Sequence, residues 1–199
     1  MAELAQSWDQ LEDWEREEWW KRARYKRIRI RRLPIPQNAL KGRSRSLRGE
    51  EFYIKINRVL EVCGYDRRRL PPPDPNFRPN PVEPDLRITL EKGLLKIMVP
   101  VRSAPTQDIM VFAAPPRRAG QGPGGNYAFI GLLPPPKNGE SEITRMLLTK
   151  LKEWRKLRDD RYQVPLDGAR ICIRTWPQEN GWEGKAWMQI SHGLVRRPA

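Results

Sequence analysis

Histidine occurs once in this sequence and cysteine twice. No apolar run approaches the roughly 18 residues that a membrane span needs. Each shortage excludes something. His192 alone, with Cys63 and Cys172 far apart, does not supply zinc-ligand spacing. One distant cysteine pair is not a disulfide framework, so a reducing compartment is expected. The opening "MAELAQSWDQLEDW" is acidic and has no apolar stretch of the secretory kind. The expected location is therefore intracellular, in the nucleus and/or the cytoplasm.

Catalytic signatures are also missing. No serine or cysteine motif of known geometry accompanies His192, and buried cysteines are more often small apolar residues than nucleophiles. The carboxylates crowd the N-terminal segment, where arginine and lysine neighbours account for them. "AGQGPGG", preceded by Arg117 and Arg118, could cradle a phosphate through its backbone N–H groups. It lacks the Gly-Lys-Ser/Thr ending of a P-loop, and a loop between strands explains it. The expectation is a protein that is not an enzyme, with no catalytic residue, metal or cofactor.

What is abundant is positive charge and proline. The 199 residues carry a net charge of +14 and the isoelectric point is about 10.3. Such a charge favours polyanions, nucleic acid first and acidic membrane second. Mean hydropathy is −0.76 and apolar residues make up 38%, below the roughly 45–50% of ordinary domains. A modest core with long uncovered segments follows. The 20 prolines agree, because each fixes φ and removes a backbone donor.

Periodicity supplies the elements. Residues 4–24 read as one helix, with a capping box offered by Ser7 and Gln10 in "SWDQ". Leu4, Trp8, Leu11 and Trp14 share a face at helical spacing, while Trp20 falls nearly opposite. Glu12–Arg16, Glu17–Lys21 and Glu18–Arg22 are acid-first i,i+4 pairs. From Tyr25 the period becomes two. "YKRIRIRRL" sets Ile28 and Ile30 against Arg27, Arg29 and Arg31, a half-buried strand. "EEFYIKINRVLEVCG" fits either a helix, with Phe52, Ile56, Val59, Leu60 and Cys63 on one face, or an alternating strand. Gly64 as a C-cap tips the expectation slightly to helix. Residues 67–85 are proline-rich, extended and linker-like.

Residues 86–133 read as β structure, with a hairpin turning at "EKG". "NGESEITRMLLTKLKEWRKLRDD" is the clearest helix, striped by Ile143, Met146, Leu147, Leu151, Trp154 and Leu157. Lys150 joins the stripe if its ammonium snorkels. A last hairpin turns at Asn180-Gly181.

The expected fold class is therefore α+β. A small antiparallel sheet from the middle and C-terminal segments is covered by a helix over residues 141–158. An N-terminal helix and basic strand either dock on it or form an arm, and proline-rich linkers join the parts. Residues 1–49 would hold the helix, basic strand and basic linker. Residues 50–85 would hold a short element and the proline-rich linker, and residues 86–199 the α+β core with its hairpin.

"VPLDGARICIRTWPQENGWEGKAWMQI" resembles the β-hairpin segment of lentiviral Vif accessory proteins and lies in the last fifth of the chain. The family's His-Cys-Cys-His zinc pattern and SLQ-type cullin-adaptor motif are absent here, so no residue role carries over. A short, basic, Trp- and Pro-rich chain without an enzyme motif is similar in style to viral accessory proteins.

Two arginine-rich clusters are the candidate nucleic-acid contacts. Lys21, Arg22, Arg24, Lys26, Arg27, Arg29, Arg31 and Arg32 form the first, extended by Arg43, Arg45 and Arg48. Arg67, Arg68 and Arg69 form the second. Arginine suits bidentate phosphate contacts, and the nearby Trp20 and Tyr25 could stack unpaired bases. RNA or another single strand is expected ahead of duplex DNA. Trp8 and Trp14 read first as core. In the alternative function, Trp8, Leu11 and Trp14 dock a host protein, as a matrix or adaptor protein would, while the basic face touches acidic membrane or an acidic protein. "KRARYKRIRIRR" would also serve as a nuclear-localisation segment, and phosphorylation of Ser44 or Ser46 would weaken polyanion binding.

Overall fold

The computed structural model describes residues 2–24, 48–76, 81–82, 86–91, 94–103, 105–118, 121, 126–156, 169–183 and 187–190. These fall into two units. One comprises residues 1–76 with 179–183, the other residues 77–178 with 184–199.

The first unit is built on helices. Where one N-terminal helix was expected there are two, α1 (Ala2–Asp9) and α2 (Asp13–Arg24). Ser7 does not cap a helix. It sits inside α1, and its Oγ donates to the Leu4 carbonyl at 2.9 Å. The capping carboxylate comes later: Glu15 accepts from the Glu12 N–H at 2.8 Å, the reach-back half of a capping box. This break resets the inner face. Beyond it Glu15, Trp19 and Ala23 turn inward at a spacing of four, and Trp14 leaves the stripe it would share with Trp8 and Leu11 in a continuous helix.

Residues 49–62 are helical, as the cap at Gly64 indicated: α3 is Gly49–Val62. Gly64 takes φ +79°. The Gly64 N–H reaches the Glu61 carbonyl at 3.0 Å and the Tyr65 N–H reaches that of Leu60 at 2.9 Å. These are the two bonds of a Schellman ending. Phe52, Tyr53, Ile56, Val59 and Leu60 are buried with Leu4, Trp8, Leu11 and Trp19. Trp19 meets the rings of Phe52 and Tyr53 edge-on, each at 5.3 Å. Trp8 lies 5.4 Å from Tyr53. Such pairs add about 0.5–1.5 kcal/mol each beyond the area they bury.

The second unit is α+β, with two antiparallel sheets where one was expected. In the first, β1 (Arg87–Glu91), β2 (Leu94–Pro100) and β5 (Glu140–Glu142) lie in the order β1-β2-β5. In the second the order is β4 (Ala128–Leu132), β3 (Asp108–Ala113) and β6 (Cys172–Glu179), and β8 (Trp187–Ile190) also pairs with β6. The short strand β7 (Trp182–Glu183) that follows β6 belongs to the first unit. The β1–β2 pairing confirms the hairpin, although its turn lies outside the described residues. At the β6–β7 turn Asn180 and Gly181 both take positive φ, +53° and +87°, the conformation that a two-residue hairpin loop requires.

Helix α4 (Thr144–Arg155) covers this β structure as expected, but it starts later than residue 141, because Ser141 and Glu142 pair in β5. Leu147, Leu151 and Trp154, with Ile143 just before the helix, share one core with Ile97, Val99, Ile109, Val111, Ile171 and Ile173. The spacing 143, 147, 151, 154 is one helical stripe. The β positions are alternate residues of their strands. Lys150 snorkels, its ammonium 2.6 Å from Glu153. Among the described residues no helix is long and apolar enough to cross a membrane.

Candidate nucleic-acid interface

The first basic cluster begins on the last turn of α2, where cations oppose the negative end of the helix dipole. Lys21 lies 2.9 Å from Glu18 and 3.3 Å from Glu17. Both carboxylates raise the pKa of the ammonium. Arg22 pairs with Asp74 at 3.2 Å and donates to the Pro72 carbonyl at 3.2 Å. Arg24 is exposed. Tyr25, Lys26, Arg27, Arg29, Arg31 and Arg32, with the strand expected there and the linker residues Arg43 and Arg45, lie outside the described residues.

Trp20 is 40% exposed, as its place opposite the apolar stripe implied, and Trp19 is fully buried. One edge of the Trp20 ring rests on Gly49, where an added Cβ would stand 2.9 Å from Trp20 Cγ. Of the residues expected to meet a protein partner, Trp8 and Leu11 are buried in the first unit. Trp14 corrects its expected place in the core. It is 52% exposed, with its indole N–H on Glu12 at 2.6 Å, because the break before α2 turned it outward.

The second cluster is a clasp. Arg69 bonds both oxygens of Glu15 at 2.7 Å. Arg67 holds Glu61 at 2.5 Å and reaches Glu3 at 3.4 Å, and Arg68 donates to the Asn180 side chain at 2.8 Å. Their backbone is pinned as well. The Trp19 indole donates to the Arg69 carbonyl at 2.6 Å. Asn57, fully buried, donates to the Arg68 carbonyl at 3.1 Å and accepts its N–H at 2.6 Å. Trp182 donates to Pro73 at 2.9 Å.

The stretch read as a linker therefore packs into the first unit over residues 67–76, while remaining free of helix and strand as expected. The physical reason lies in the carbonyls of an extended segment, which no helix or strand partner occupies. Buried tryptophan and asparagine donors need acceptors, and the carbonyls of Arg68, Arg69 and Pro73 supply them. Arg69 pulls the Glu15 carboxyl below the ordinary range, more strongly than burial raises it. Arg67 does the same to Glu61.

Cys172 is buried and burial raises its thiol. That makes it a poor nucleophile at neutral pH. His192 lies outside the described residues. Among the described residues no group of His, Cys, Asp or Glu is arranged to hold a metal ion. No family model, curated protein or solved structure matches this chain.

Proposed function

We propose that the protein is a non-enzymatic, basic nucleic-acid-binding protein for RNA or single-stranded nucleic acid, of viral-accessory or nucleoprotein type. The observation that carries this reading is the placement of Trp20. It is exposed beside Lys21, Arg22 and Arg24, and the sequence continues directly into Tyr25, Lys26, Arg27, Arg29, Arg31 and Arg32. An exposed aromatic next to cations is the combination that binds single strands, one stacking on bases and the others meeting phosphates. The ion pairs of Lys21 and Arg22 are solvent-accessible, and pairs of that kind are weak enough to exchange for phosphate. Arg69 differs, since releasing it would leave Glu15 buried and charged.

Labelled single-stranded RNA, titrated in rising salt, tests the reading. Affinity should fall steeply with salt, and replacing Arg27, Arg29 and Arg31 together by glutamine should flatten the fall by about 2 units of log K per log salt. Binding to anionic vesicles without any RNA binding at low salt would instead favour the adaptor-like alternative, with Trp14 as its exposed contact.

A further inference from the structure

Four arginines gather at one end of the β3–β6 pair in the second unit. Arg117 and Arg170 form an antiparallel bridge: the Arg117 N–H donates to the Arg170 carbonyl at 3.1 Å, and the Arg170 N–H donates back at 2.8 Å. Directly opposed residues of an antiparallel pair project from the same face, with Cβ atoms about 4.5–5.5 Å apart, and like charges so placed destabilise the pairing. Ile171 and Ile173 belong to the core, so the alternate residues Arg170 and Arg174 face away from it.

The Arg174 guanidinium lies 4.1 Å from the centroid of the Tyr127 ring. Stacking occupies one flat side of the guanidinium, and Arg174 also hydrogen-bonds the Tyr127 side chain. Arg118 is held nearby through Gln121, whose side chain accepts the Arg118 N–H at 3.3 Å. The Gln121 carbonyl accepts from Arg170 at 3.5 Å.

Among the described residues no carboxylate forms an ion pair with any of these four arginines. The contrast with Arg67 and Arg69, each bonded to a glutamate, is physical. Those arginines have their counter-charge within the fold. Burial raises the Tyr127 hydroxyl against Arg174 and Arg117, and it raises the Cys172 thiol against Arg170 and Arg117. The arginines thus share one neighbourhood.

We infer that Arg117, Arg170 and Arg174, with Arg118 at the rim, form a phosphate-binding site on the second unit that holds the backbone of single-stranded RNA. The inference rests on the nucleic-acid reading above and adds a second anchoring point outside the N-terminal cluster. A phosphate between Arg117 and Arg170 offsets their repulsion. Arg174 adds its charge and the N–H groups that Tyr127 does not engage. Sequence alone hides the site, because residues 53 positions apart become neighbours only through the strand register.

The test uses the full chain and a fluorescein-labelled oligouridylate, followed by anisotropy across a potassium chloride series. Arg117→Gln/Arg170→Gln should bind more weakly and lower the salt slope by about 1.4, the share of two single-strand phosphate contacts. Without RNA, that variant should melt no lower than the wild type, since it has lost a repulsion. Wild-type binding with an unchanged slope in the variant overturns the inference and leaves the function reading intact. Failure of the wild type to bind removes both. If inorganic phosphate stabilises only the wild type while the RNA slope is unchanged, the site binds phosphate from another source, and its assignment to RNA is overturned. Should the double variant not fold, Arg174→Lys keeps the charge and removes the planar fork. Weaker affinity at an unchanged slope supports the site, and unchanged affinity overturns it.

Discussion

At the scale of the residue, Trp19 and Trp20 are neighbours in opposite environments, one buried and one exposed. Trp19 is fully buried and gives its indole proton to the Arg69 carbonyl. Trp19→Ala should therefore cost about 3–5 kcal/mol, measured by urea denaturation. Trp20→Ala should leave the urea midpoint close to wild type and weaken RNA binding about fivefold to a hundredfold, the range of one stacked base. An unchanged affinity would remove Trp20 from the interface. Glu15 and Glu61 set the response to acid. Both carboxyls are held below the ordinary range in the fold, by Arg69 and Arg67. Unfolded glutamates titrate near an ordinary value of about 4.3, so the unfolded state takes up protons first as pH falls. The stabilisation is present above that pH and is lost as pH drops through the depressed folded values. Glu15→Gln should lower the melting temperature at pH 7 and make its decline below about pH 4.3 shallower. A decline as steep as that of the wild type would contradict the role given to this pair.

At the scale of the element, turns and breaks govern what each helix presents. Gly181 shows how tightly the β6–β7 turn is fitted. An added Cβ would stand 2.6 Å from Ile56 Cγ2 and 2.7 Å from the Ile56 carbonyl oxygen, on a backbone already at φ +87°. Gly181→Ala should destabilise by more than about 1 kcal/mol, and an unaltered denaturation midpoint would contradict this packing. The turn was legible in the sequence because Asn-Gly carries its conformational preference locally. So were α4, with its stripe from Ile143 to Trp154, and the Gly64 ending of α3. The break between α1 and α2 was not. Leu4, Trp8, Leu11 and Trp14 fit one continuous helix, and only the clasp of Arg69 on Glu15 across 54 positions shows why α2 turns a different face inward. The arginine triplet misleads for a related reason. Three adjacent arginines look alike in sequence, whereas tertiary partners decide that Arg67 and Arg69 meet glutamates and Arg68 meets Asn180.

At the scale of the whole molecule, the net charge of +14 is the dominant physical fact, and the fold uses part of it internally. Arg67 and Arg69 are committed to glutamates, and among the described residues the arginines at 117, 118, 170 and 174 have no such partner. The proposed role of this uncommitted positive charge is to bind a single strand of RNA. The salt dependence of that binding measures it most directly. About five phosphate contacts predict a slope of log K against log salt near −3.5 for a single strand. A slope near zero, or no binding at low salt, would contradict that role.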